Sequence, residues 1–118
     1  MKKHDVVAAL AALAQDNRLD VFRLLVEAGP EGLSAGSVAK ALKLAPNTLT
    51  FHFDRLRNAG LVTVRREGRS MIYAAEFVTM NALLAYLTDN CCQGAQEACA
   101  TPEPCKPADA KKRAKATA

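Results

Sequence analysis

The sequence predicts a mainly α fold carrying one β-hairpin, an α+β class. Three observations lead there. Apolar residues recur at helical spacing through five separate stretches. A single stretch, residues 61–75, is rich in β-branched residues around a Glu-Gly pair. Ala and Leu dominate a chain that is 50% hydrophobic and only 5% aromatic, which favours helix. The 118 residues suffice for one domain. Its core is modest, so a dimer that buries further apolar surface is expected.

The first helix is expected over residues 5–14, with Val6, Val7, Leu10, Leu13 and Ala14 as its stripe. Asp16 is placed to cap the second helix, which carries Leu19, Phe22, Leu25 and Val26 on one side. Gly29 and Pro30 stop it. Ser34 caps a third helix whose inner face is Val38, Ala39 and Leu42. Pro46 suits the first turn of a fourth, over residues 46–59. There Leu49, Phe53 and Leu56 point inward at i, i+4 and i+7, and Gly60 ends the helix. The hairpin follows, with a tight Glu67-Gly68 turn. A last helix within residues 76–90 has Phe77, Met80, Leu84 and Leu87 along one stripe. After Gly94 the pattern fades, and from Thr101 Pro, Ala and Lys read as a tail with no core of its own.

Charge is unevenly placed. Residues 40–75 hold seven basic and two acidic residues, net +5, whereas residues 76–105 are net −4 with no Lys or Arg. A basic middle third flanked by neutral or acidic segments suits a surface that meets a polyanion, although an ordinary solvated face has the same composition. The opening MKKHDVVAALAALAQ resembles a leader, but His4 and Asp5 interrupt its basic part and the helical pattern runs straight on. No stretch approaches the ~20 apolar residues that span a membrane. The protein is therefore expected in the cytoplasm, with no membrane partner and with reduced thiols.

Short helices, a tight turn, another helix and a basic hairpin together make a winged helix-turn-helix, and double-stranded DNA is the expected partner. On a wheel of about 100° per residue, Asn47, Thr48, Phe51 and Arg55 face outward, with Thr50 and His52 at the flanks. Early residues of such a helix reach base edges. Asn47 suits adenine and Phe51 a thymine methyl, while the later Arg55 suits phosphate. His52 is as well read as packing as base contact. Arg65, Arg66 and Arg69 bracket the hairpin turn, where their mutual repulsion makes sense facing phosphate.

LAQDNRLDVFRLL and LTFHFDRLRNAGLVTVRREGRSMIYA resemble the helix junction, recognition helix and wing of the ArsR/SmtB family of metal-responsive repressors. The resemblance covers residues 6–90, about three quarters of the chain. It implies a homodimer through the first and last helices, operator binding in the free state, and release by an inducer. Two sensor sites of that family have no counterpart. GLSAGSVA lacks the arsenic sensors' Cys-Val-Cys, and EFVTMNALLAYLTDN lacks the zinc sensors' His.

TDNCCQGAQEAC resembles a different arrangement, found in arsenic-responsive members with a Cys-Cys pair just past the last helix and a third Cys beyond. The resemblance implies Cys91, Cys92 and Cys99 as ligands; Cys105 has no counterpart in it and is a candidate only as a fourth donor. Trivalent arsenic is soft and takes three thiolates, and soft thiolate sites select such ions. Arsenite or antimonite is the expected inducer, with no organic cofactor. Zinc prefers four ligands, usually in Cys-x-x-Cys pairs. A disulfide switch, Cys92 with Cys99, is a further reading, as is a constitutive DNA-binding protein with incidental thiols. All four cysteines of the chain lie within residues 91–105, which disfavours incidence. No constellation of nucleophile, base and acid appears, so an enzyme is not expected. The organisation expected is a winged-helix DNA-binding and dimerisation domain over 1–93, a cysteine-bearing inducer segment over 94–105, and a disordered basic tail over 106–118.

Overall fold

The computed structural model describes residues 1–91. The expected segments 94–105 and 106–118 lie outside them. Eight elements follow in order: α1 (Lys3–Leu13), α2 (Asp16–Ala28), β1 (Leu33–Ser34), α3 (Ala35–Leu42), α4 (Pro46–Asn58), β2 (Val62–Glu67), β3 (Ser70–Ala75) and α5 (Phe77–Thr88). The five helices and the hairpin stand where their periodicities put them, and the α+β class holds.

Two caps differ in outcome. Ser34 Oγ accepts from the Ser37 amide at 3.1 Å, as expected. At α2 the capping residue is Gln15 rather than Asp16: its side-chain oxygen accepts from the Arg18 amide at 2.9 Å. Asp16 sits one residue inside, where its negative charge favours the helix start. The hairpin turn also shifts by one. Glu67 pairs with Ser70, so Gly68 and Arg69 are the two central residues. Gly68, at φ 62, supplies the positive angle that a two-residue turn of this kind needs at its first position.

Strand β1 was not expected. It pairs antiparallel with β3, Leu33 opposite Tyr73 and Ser34 opposite Ile72, giving the sheet order β1-β3-β2. Two residues are too few to show alternation. The pairing depends on Gly32, at φ 72, because a Cβ there would run into the Tyr73 carbonyl oxygen.

The core joins Val21, Phe22 and Leu25 of α2, Val38 of α3, Leu49, Phe53 and Leu56 of α4, and Leu61. The inward trio of α4 is as expected. Phe53 stacks face to face on Tyr73 of β3, with ring centroids 3.7 Å apart and planes 2° from parallel. One stack thereby fixes the fourth helix against the hairpin.

The outer helices turn differently from their expected stripes. α1 buries Val6, Ala9 and Ala12 and leaves Val7 and Leu10 exposed. In α2 Phe22 and Leu25 are buried as expected and Val26 is half-buried, Val21 is buried besides, and only Leu19 of the expected stripe is exposed. α5 buries Leu83, while Phe77 and Met80 are half-buried against the core. Leu84 and Leu87, the other half of the expected stripe, are 51% and 55% exposed, and Val78 is 76% exposed. The cause is compositional. α1 and α5 carry apolar residues on more than one face, and a single chain supplies a core for only one. Clustered apolar residues left outside mark an interaction surface.

Candidate nucleic-acid interface

Lys43 takes the left-handed conformation at the end of α3, φ 55, and the Leu44 amide bonds back to Ala39 O at 3.1 Å. This closes the turn between α3 and α4 and swings α4 outward with Pro46 in its first turn. Asn47, Thr48, Phe51 and Arg55 all lie exposed on its outer face, as the wheel predicts. Phe51 is 51% exposed, a costly place for an aromatic ring unless something covers it. The Arg55 guanidinium sits 5.0 Å from its ring centroid, a cation–π contact that holds both side chains in one arrangement. Thr50 is exposed as well, but its hydroxyl already donates to Pro46 O at 3.0 Å.

Of the two readings of His52, packing is the one its position fits. It is 5% exposed and packs inward, so from here it does not reach a base edge. Neither ring nitrogen has a hydrogen-bond partner among the described residues. Burial, and after it the positive charge of Arg18, push its pKa below the ordinary 6.5. The neutral imidazole belongs to the underside of the helix. A 100° wheel places it at the edge of the apolar arc, and α2 closes over that edge.

The three wing arginines separate by role. Arg65 Nη2 donates to Glu31 O at 2.6 Å, and its Nε donates to Glu67 at 3.0 Å. It braces the wing to the loop before β1 rather than standing free. Arg66 Nε donates to Gly68 O at 3.3 Å across the turn, and Arg69 occupies the turn itself. Neither has a carboxylate within ion-pair distance among the described residues. These two remain the cations available to phosphate. The double variant R66A/R69A should weaken DNA binding uniformly across sequences. A plot of log affinity against log salt should flatten by about 2 per subunit, measured by fluorescence anisotropy across a salt series.

Cys91 is half-buried three residues past the end of α5, after Asn90 at φ 56. Cys92, Cys99 and Cys105 lie outside the described residues. Among the described residues no three His, Cys, Asp or Glu side chains gather closely enough to hold a metal ion. Sequence reading passed over Arg18. It looked like part of a polar turn, yet its Nε is buried without a hydrogen-bond partner. No helix among the described residues is long and apolar enough to cross a membrane.

Residues 13–65 match the helix-turn-helix domain family. The transcriptional activator HlyU of Vibrio cholerae is 30% identical over 90 residues, spanning 76% of this chain and 81% of that protein. An ArsR-like transcriptional regulator from Rhodococcus sp. RHA1 superposes with a TM-score of 0.63 at 26% identity, over 71% of this chain and 76% of that one. The homodimeric winged helix-turn-helix DNA-binding domain of Mb0332 from Mycobacterium bovis, a possible ArsR-family transcriptional regulator, gives 0.59 at 26%, over 85% and 89%. Exposed recognition-helix residues, a basic wing and these likenesses agree: the chain belongs to the ArsR family of winged helix-turn-helix regulators, DNA-binding proteins of transcription rather than enzymes.

Proposed function

We propose that the protein is a homodimeric repressor whose grip on operator DNA is released when trivalent arsenic, or antimony, binds Cys91, Cys92 and Cys99. The position of Cys91 carries this reading. It lies three residues past the helix whose outward residues Leu84 and Leu87 are left uncovered by the chain's own core. A second subunit covering those leucines puts the thiols at the dimer seam. The homodimeric Mycobacterium bovis relative supports that assembly.

Arsenite carries three hydroxyls. Each As–S bond formed breaks one As–O bond, and the thiol proton leaves with the hydroxide as water, so no thiol need be ionised beforehand. Drawing three sulfurs onto one ion next to α5 tilts one subunit against the other and moves the two recognition helices off their one-turn spacing. A coupling of ~1–3 kcal/mol lowers operator affinity about 5- to 150-fold.

The test titrates arsenite into a complex of the full chain with a fluorescent operator fragment. The wild type should release DNA, and Cys92→Ser should bind the operator unchanged but not respond. X-ray absorption at the arsenic edge should find three sulfur neighbours. Survival of the complex at saturating arsenite, or a normal response from Cys92→Ser, overturns the proposal. Release by a thiol oxidant alone would put a disulfide switch in its place.

A further inference from the structure

A cleft of about 420 Å³ runs between α1 and α4. One wall is the methyl groups of Ala8, Ala11 and Ala12, and the other is Phe51, Arg55 and Asn58. Arg18 closes it from the start of α2. The volume is in the range of small-molecule sites, and so is the composition, mostly apolar with a few polar groups. Its polar groups are two guanidiniums and one carboxamide, and no carboxylate lines it.

Neither guanidinium is neutralised. Arg18 and Arg55 have no carboxylate within ion-pair distance among the described residues. Arg55 lies over the Phe51 face. Arg18 Nε is buried with no hydrogen-bond partner. A buried charged donor left unpaired is unusual, since such groups are normally matched. The field of Arg18 is also felt at His52, whose pKa it helps to lower after burial.

We infer that this cleft binds a small aromatic or short-chain carboxylate, its oxyanion held by Arg18 and Arg55 and its apolar body lying between the alanine wall and Phe51. A guanidinium fork matches a carboxylate geometrically, and a flat apolar body suits a wall of methyls facing a ring. A cation finds no carboxylate there. Phe51 and Arg55 are also the outward residues of the recognition helix. A ligand that holds them in the cleft takes them from DNA, so the two bind in competition. This control needs no thiol and stands or falls apart from the arsenic reading.

The experiment uses the full chain with benzoate as probe and benzamide as its neutral isostere. NMR of the arginine side-chain Nε–Hε pairs should show saturable benzoate shifts at Arg18 and Arg55, and none with benzamide. In a fluorescent-operator titration, benzoate at about nine times its Kd should raise the apparent operator Kd about tenfold by mass action. Arg18→Gln should abolish the benzoate shift. Ala11→Leu, which fills the cleft from an exposed position, should abolish it while leaving operator binding in place. Absence of saturable shifts in the wild type overturns the inference. So does an unchanged benzoate response in Ala11→Leu. If Arg18→Gln weakens operator binding while the wild type ignores benzoate, the anion that Arg18 serves is DNA phosphate and the inference fails.

Discussion

Replacing Phe53 by Ala should destabilise the domain by about 3–5 kcal/mol, the largest loss expected of any single truncation here. Phe53 is almost completely buried and lies against the whole face of Tyr73. Its removal opens a void between α4 and β3 that Leu49 and Leu56, already close-packed, are poorly placed to fill. A domain of this size has about 5–15 kcal/mol in total, so the variant should unfold near ambient temperature. Urea denaturation followed by circular dichroism measures it. Tyr73→Phe keeps the ring stack and should remain near wild type. If Phe53→Ala unfolds at the wild-type midpoint, the stack does not hold helix and wing together.

Leu84→Asp combined with Leu87→Asp should leave the chain folded and separate the subunits of the proposed homodimer. Both residues are more than half exposed in the single chain, so new charges there meet water rather than core. Across a two-fold interface the same charges face their own copies and bury without partners. Sedimentation equilibrium should report a monomer, with a thermal midpoint close to that of isolated wild-type chains. Operator affinity should drop by about 10²–10⁴, because a single subunit loses the gain from engaging the second half-site at high effective concentration. A double variant that stays dimeric moves the interface away from α5.

Legibility in the sequence followed the sharpness of each pattern. The inward trio of α4 was readable: Leu49, Phe53 and Leu56 repeat at helical spacing, and all three are buried. The wing was readable from its β-branched run, but its turn was placed one residue early, because Glu-Gly and Gly-Arg both look acceptable until the Glu67–Ser70 pairing is known. α1 and α5 were readable as helices and not as faces. Their apolar residues serve two surfaces, and an alanine such as Ala9 packs fully without standing out in a hydropathy pattern. β1 was invisible at two residues. In the candidate site, the outward placing of Asn47, Thr48, Phe51 and Arg55 was legible from the wheel alone. His52 was not, because its burial depends on α2. Arg65 was grouped with its neighbours, because its partner Glu31 O is 34 residues away and belongs to the backbone.

Among the described residues, the sheet order β1-β3-β2 leaves one side of β2 without a neighbouring strand. Such an open margin is a template on which further chains can add and grow into aggregates. Arg65, Arg66 and Glu67 fill half of that strand. Their charges repel an incoming copy, and the hydration they hold must be stripped before pairing. Arg66, which the wing offers to a polyanion, therefore also helps, with the Arg65–Glu67 pair beside it, to keep a concentrated population of these molecules from polymerising through their sheets.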